Sequence, residues 1–470
     1  MDPRRSPSQV EQPDLQGNVL CGYGNAFAHG LYAFIHVGEA AAGRELLAEL
    51  VGRITDAVPW RENGRSFKPR HTVNVALSYR GLVAFGVRDE ILRSFPPEFR
   101  AGMARRAELL GDTGPSDPRH WEEGLRPGTP HILVTIMAQT AAERRGQRDE
   151  LRARIEEAGE GLSMAYEQNA DLLGRPGEKE ATREHFGFAD GLSQPTIKDE
   201  RAGPNDLDGR GTPKRLGRWD GVAPGEFVLG YADEQGAVAT SPQEPLCRNG
   251  SYMVVRKLRQ DVAAFNAYLS EAAGRTGLSE ELLAAKVVGR WRSGAPLSLA
   301  SERDNPELTL GGEEADRMND FRYGSDVEGR ACPIGSHIRR ANPRDALGWH
   351  GKLTKRRRII RRGMPYGPSF EERPEVQDRG LMFVCYQASI SRQFEFIQAR
   401  WLNDGDAFGL GSEKDPLANQ DPGGKLTIQG KSPTFLAALP SFVSTRGGGY
   451  FFVPGIRALG ALAAGELGRR

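Results

Sequence analysis

The sequence predicts an α+β protein of two tandem ferredoxin-like units, each an antiparallel sheet with peripheral helices. Three observations carry this. Between residues 31 and 169, apolar β-branched or aromatic runs and amphipathic stretches follow the order strand, helix, strand, strand, helix, strand, which is the split βαβ pattern. A similar cadence returns after residue 225. The chain has 470 residues, more than one such core can hold, so about two or three domains are expected.

The elements follow in order. Residues 1–13 read as a polar tail. LYAFIHV, 31–37, is short, aromatic and β-branched, hence a strand. GEAAAGRELLAELVGRITDAV, 38–58, has apolar residues at helical spacing and few breakers. HTVNVALSY, 71–79, is a strand, followed by the short helical piece GLVAFGV, 81–87. PHILVTIMA, 130–138, is a third strand. TAAERRGQRDELRARIEEAGE, 140–160, is a charged helix with carboxylate–arginine pairs at helical spacing. GLSMAYEQN, 161–169, completes the first unit. In the second unit, EFVLGYAD (226–233), SYMVVRKL (251–258) and RGLMFVCYQAS (379–389) read as strands. RQDVAAFNAYLSEAAGRTG (259–277) and ISRQFEFIQARWLND (390–404) read as helices. A loop-rich insert, roughly 290–378, separates them; loops that long in a compact protein are usually functional or disordered. The expected organisation is a tail at 1–13, one unit over 14–220 and a second over 221–470.

Composition excludes several classes. Lys+Arg is 63 against Asp+Glu 62, which gives no electrostatic reason for nucleic acid or an anionic membrane as partner. The four cysteines are scattered without a CxxC pair, against a zinc or iron–sulfur site and in favour of free thiols in a reducing compartment. Arg4 and Arg5 are not followed by an apolar segment, so no export signal is read. No run approaches the roughly 20 apolar residues of a spanning helix. A cytoplasmic protein is expected, with its oligomeric state left open.

The chemistry concentrates in three places. HFGFADGLSQP, 185–195, sets Asp190 between aromatic residues and glycines; it is either a turn aspartate or a catalytic carboxylate in an apolar pocket. CPIGSHIRRANPRDALG, 332–348, holds His337, which can be a surface residue, a core residue, a base or a metal ligand. KRRRIIRRGMPYGPS, 355–369, is a basic run interrupted by Ile359 and Ile360. It reads as a strand or turn entering a pocket with one arginine face inward, suited to a phosphate or carboxylate.

These segments resemble the dye-decolorizing (DyP-type) haem peroxidases, specifically their larger cytoplasmic members. GFADG, 187–191, resembles the family's GxxDG signature. DLQGNVLCGYG (14–24), NVALSYRGLVAFGV (74–87), SHIRRANPR (336–344), RRGMPYG (361–367), GLMFVCYQASISRQFEFIQ (380–398) and FVSTRGGGYFFVP (442–454) follow in the family's order. The resemblance implies two ferredoxin-like domains with haem b held in the second. It implies His337 as the proximal ligand to haem iron, Asp190 as the distal carboxylate and Arg361 as the distal arginine, with Arg362 the rival by one register. For the carboxylate behind the proximal histidine, Asp415 is the candidate, with Glu395 and Asp404 competing. Arg339 and Arg446 are candidates for the haem propionates, Phe383 and Phe451 for the pocket lining, and Trp401 and Tyr386 for electron transfer. Some members carry asparagine two places after the distal arginine; here it is Gly363.

The implied activity is oxidation of dyes, phenols or other small reductants by hydrogen peroxide. Asp190 would move a proton between the peroxide oxygens, and Arg361 would stabilise the charge that develops. A free aspartate titrates near ~3.9 and a histidine near ~6.5, so an acidic optimum is expected. A haem carrier with incidental peroxidase activity is the alternative, but a carrier has no use for Asp190 and Arg361 together.

Overall fold

The computed structural model describes residues 10–62, 65–174, 182–198, 212–213, 219–309, 318–319, 321–420 and 422–468. The first unit contains β1 (His29–Val37), α1 (Ala40–Val51), β2 (His71–Ser78), β3 (Ile132–Ala138), α2 (Ala141–Glu157) and β4 (Leu162–Asp171). The second contains β5 (Ser251–Gln260), α3 (Val262–Thr276), α4 (Glu280–Val288), α5 (His337–Ala341), β6 (Ile360–Arg361), β7 (Met364–Tyr366) and β8 (Gly380–Gln387). It continues with the hairpin β9 (Gly424–Ile428) and β10 (Thr434–Leu439), then β11 (Val443–Val453) and α6 (Ile456–Ala463).

Both units have the same strand arrangement. The order is β4-β1-β3-β2 in the first and β11-β5-β8-β6 in the second, with β7 also on β8. Every pairing is antiparallel. The units are not separate sheets: β11 pairs with β2 through Phe451 opposite Ser78 and Phe452 opposite Leu77. The sheet also curls, bringing Met364 against Gly30.

Strand alternation builds two cores. Leu31, Ala33 and Ile35 face one side, with Leu46 and Leu47 of α1 and Leu459 of α6. Tyr32 and Phe34 face the other, with Met253, Val255, Met382 and Val384 of the second unit.

Several elements differ from expectation. Residues 226–233 form no strand: Phe227, Val228 and Leu229 are buried, but in turns, with Val228 N–H donating to Pro224 O (2.8 Å). The helix expected over 390–404 is shorter, a turn at Phe394–Phe396 running into a π-helical turn at Ile397–Leu402. Of the tail expected at 1–13, residues 1–9 lie outside the described residues, whereas Val10 is fully buried. Among the described residues, no helix is long and apolar enough to cross a membrane.

A core histidine, His131, contributes to the acid sensitivity of the fold. His131 Nδ1 accepts the Val37 N–H (3.1 Å) and its ring stacks on His36 at 4.3 Å. Burial and the His36 charge push it down to about 4. A base depressed on folding favours the folded state above its unfolded value, near ~6.5, and that contribution is lost as pH falls through 6.5 towards 4. Stability should therefore fall by about 1.4 kcal/mol per pH unit from this group. Urea unfolding of His131→Gln should lack this slope; a slope equal to wild type would remove His131 from the account.

Candidate active site

The Asp190 loop is folded against its own neighbours. Glu184 N–H donates to Phe188 O (3.0 Å) and Gly187 N–H to Glu184 O (2.8 Å), closing a tight turn. Gly187 sits at φ 89°, where a side chain would be strained. Two arginines grip the turn. Arg183 Nη1 donates to the carbonyls of Gly187 and Arg292, each at 2.8 Å. Arg292 Nε donates to Phe186 O (3.1 Å), and its guanidinium lies 5.4 Å from the Phe188 ring centroid. Asp190 N–H donates to Thr182 O (2.8 Å), and the Asp190 carboxylate accepts the Gly191 N–H (2.6 Å).

Arg361 comes from β6, opposite Cys385 of β8. Its N–H donates to Gln194 Oε1 (2.9 Å), tying the strand to the Asp190 loop. Its Nη1 lies 3.8 Å from Asp190 Oδ1. Arg362 turns away, donating to the carbonyls of Leu20 (2.9 Å) and Asn18 (3.3 Å).

His337 is the first residue of α5. Its Nδ1 donates to Asp415, 2.9 Å from Oδ2 and 3.1 Å from Oδ1. Asp415 is fully buried and also accepts the N–H groups of Leu417 (2.9 Å) and Ala418 (2.7 Å). Burial acts to lower the His337 pKa, but the charge and hydrogen bond of Asp415 outweigh it and hold the imidazole above its ordinary value. Burial acts to raise Asp415, yet His337, the Ala418 N–H and Arg340 hold it below the usual carboxylate range. Neither rival carboxylate does this job. Glu395 is bonded by Arg106, twice at 2.8 Å, and by Tyr450 (2.9 Å); the Asp404 carboxylate accepts the Asp406 N–H (3.0 Å).

His337, Asp190 and Arg361 line one cavity of about 340 Å³, within the range of small-molecule and cofactor sites. Phe188, Phe383 and Leu402 give it apolar walls. Arg290, Arg344 and Arg358 also line it. Burial and the neighbouring Arg344 charge push Arg290 and Arg358 below the usual guanidinium range. Such a concentration of buried positive charge suits an anionic group.

The two propionate candidates lie outside the cavity lining. Arg339 does not line the cavity: its guanidinium donates to Cys332 O (2.6 Å), Asp326 O (2.8 Å) and Asp326 Oδ2 (3.1 Å). It braces the loop before α5. Arg446 lies on β11, where its carbonyl accepts the Glu122 N–H (2.8 Å), and it too is absent from the lining. Phe451 is a core residue between the units. Trp401 lines the cavity but is 7% exposed, and Tyr386 is 1% exposed, so neither is a surface group. Arg344 and Arg358 escaped sequence reasoning although both lie in the quoted segments: a basic run does not say which arginine points inward.

Comparison with known proteins finds two matching family models and similar proteins along most of the chain. Residues 14–169 match the model of the DyP dimeric alpha+beta barrel domain and residues 230–409 that of the Dyp-type peroxidase C-terminal domain. A dye-decolorizing peroxidase of Auricularia auricula-judae is 31% identical, over 96% of this chain and 87% of its own. The multifunctional dye peroxidase of an Amycolatopsis species is 30% identical, over 91% of each. The crystal structure of a fungal DyP-type peroxidase from Auricularia auricula-judae superposes with a TM-score of 0.80 at 28% identity, covering 97% of this chain and 99% of that one. A dye-decolorizing peroxidase in complex with 2,6-dimethoxyphenol superposes at 0.78, with 27% identity and coverage of 97% and 100%. With its paired split-βαβ units and one cavity shared by His337, Asp190 and Arg361, this chain belongs to the dye-decolorizing (DyP-type) peroxidase family.

Proposed function

We propose that this protein is a haem b peroxidase in which Asp190 and Arg361 activate hydrogen peroxide for the oxidation of dyes, phenols and similar small reductants. The observation that carries it is the Asp190–Arg361 pair in the same cavity as a carboxylate-backed histidine.

The residues fit haem. His337 Nδ1 is held by Asp415, so Nε2 is the nitrogen left to bind iron, and the carboxylate raises its basicity. Phe188, Phe383 and Leu402 offer apolar surface to a macrocycle, and Arg344 and Arg358 are the candidates to hold its carboxylates. When bound, haem supplies the oxidising equivalents; the protein supplies orientation and field.

The residue chemistry follows from the geometry. Asp190 accepts the proton from one peroxide oxygen and returns it to the other, which leaves as water. Arg361, permanently charged, stabilises the departing oxygen as negative charge develops. A carrier would need His337 and the apolar walls but not this pair. The test is to load the purified chain with haem and mix it with peroxide and then with a phenol. Rapid peroxide consumption with stoichiometric phenol oxidation is expected; haem bleaching without phenol oxidation favours the carrier.

We further read residues 14–220 as the part carrying the Asp190 loop, 221–470 as the part carrying His337, and the cytoplasm as the site of action. The four cysteines form no disulfide, which supports a reducing compartment.

A further inference from the structure

The peroxidase cycle has a proton requirement that Asp190 does not meet. Reduction of peroxide is H2O2 + 2 electrons + 2 protons giving two waters. Asp190 only moves a proton from one peroxide oxygen to the other, so that step consumes none. The two electrons arrive afterwards from reductant, and each must be matched by a proton entering the cavity from outside.

A second hollow lies behind the Asp190 turn, a polar cleft of about 1160 Å³. Among the residues lining the two hollows, Glu184 and Phe186 alone line both. We infer that Glu184 is the proton inlet of the active site, taking a proton from water in the outer cleft and passing it to Asp190 and the cavity water. The inference rests on the peroxidase reading.

Its surroundings suit that task. The carboxylate accepts the N–H groups of Phe186 (2.9 Å) and Phe188 (3.0 Å) and a hydrogen bond from Gln260 Nε2. Its position is therefore fixed by the same turn that carries Asp190. Among the described residues, no lysine or arginine forms an ion pair with it. The nearby cations are engaged elsewhere: Arg183 with two carbonyls, and Arg292 with Glu281 and Phe186 O. His185 donates through Nε2 to Tyr366 O (2.8 Å), and burial pushes its imidazole down to about 4. Burial raises the Glu184 carboxyl above its ordinary value, its hydrogen bonds offset part of this, and the Asp190 charge adds to the rise. A carboxyl without a cation partner and with a raised proton affinity can both load and release a proton. In this role Glu184 acts through Asp190.

The test uses the haem-loaded full chain and separates two stopped-flow steps: reaction with peroxide, which needs no net proton, and subsequent reduction by ferrocyanide, which does. In Glu184→Gln, the reduction step should slow at least about tenfold while the peroxide step stays within about threefold, and added formate should restore reduction. Glu184→Asp, which keeps a carboxyl, should retain more than about a third of the wild-type reduction rate. In the haem-free protein, the infrared band of the protonated carboxyl that disappears in Glu184→Gln should titrate at lower pH once Asp190→Asn removes the neighbouring charge. Normal reduction in Glu184→Gln, no rescue by formate, a Glu184→Asp as slow as Glu184→Gln, or an infrared titration unmoved by Asp190→Asn would each overturn the inference. A wild-type protein that does not react with peroxide overturns the peroxidase reading, and this inference with it.

Discussion

Asp190→Asn is expected to slow the reaction of the haem-loaded protein with peroxide by about 10²–10⁴-fold, the usual contribution of a positioned general base. The substitution is close to isosteric. Asparagine can still accept the Gly191 N–H that the carboxylate accepts at 2.6 Å, so the turn held by Arg183 and Arg292 keeps its shape. What it removes is the proton acceptor and the ionic partner 3.8 Å from Arg361. The side chain is 36% exposed to the cavity, so the urea midpoint should change little, and the loss is chemical. Stopped-flow mixing with peroxide measures it. A variant as fast as wild type would falsify the role of Asp190 and move the proton shuttle elsewhere.

Asp415→Ala should destabilise the haem-free protein by about 1–3 kcal/mol, the cost of leaving buried donors unsatisfied. The carboxylate is fully buried and gathers His337 Nδ1–H, Leu417 N–H and Ala418 N–H, and alanine strands all three donors. The pH dependence has a definite sign. Asp415 is depressed by folding, so its contribution is present above the unfolded value near ~3.9 and lost as pH falls below it. His337 is raised, so its contribution is present below ~6.5 and lost as pH climbs through its folded value. The gap between Asp415→Ala and wild type should be widest between about pH 4 and 6.5, as read by urea unfolding across that range. In the haem-loaded protein, Asp415→Asn should weaken haem retention by about 10–100-fold, the usual effect of removing a carboxylate behind a ligating histidine. Equal haem retention in variant and wild type would sink the assignment of the pair.

Some of the molecule was legible from local pattern. The long strands at 31–37, 71–79, 130–138 and 251–258 announced themselves because both faces are buried and β-branched residues fill them. The run at 226–233 misled for the same reason: Phe227, Val228 and Leu229 are as buried as any strand, and burial without periodicity cannot distinguish a packed turn from a ladder. FVSTRGGGYFFVP carries three consecutive glycines yet contains the long strand β11. Its glycines answer a close approach, since a Cβ on Gly448 would lie 2.2 Å from Val255 O. That neighbour is far away in sequence.

The sequence by itself determined the residue types the chemistry needs and the two-unit architecture, because motif order and hydrophobic period are local properties. It also offered Asp415 as the carboxylate behind His337 only through resemblance. The tertiary structure decided which of several equivalent residues faces the cavity. Arg361 and Arg362 are adjacent and chemically identical, but successive residues of a strand point to opposite faces. The pairing of Arg361 with Cys385 of β8 turns it towards Asp190, and Arg362 towards the carbonyls of Asn18 and Leu20. The same holds for Arg344 and Arg358 against Arg339 and Arg446. Which arginine reaches the cavity depends on contacts between separate segments, from Arg339 with Asp326 to Arg362 with Asn18, and no hydrophobic period along the chain encodes them.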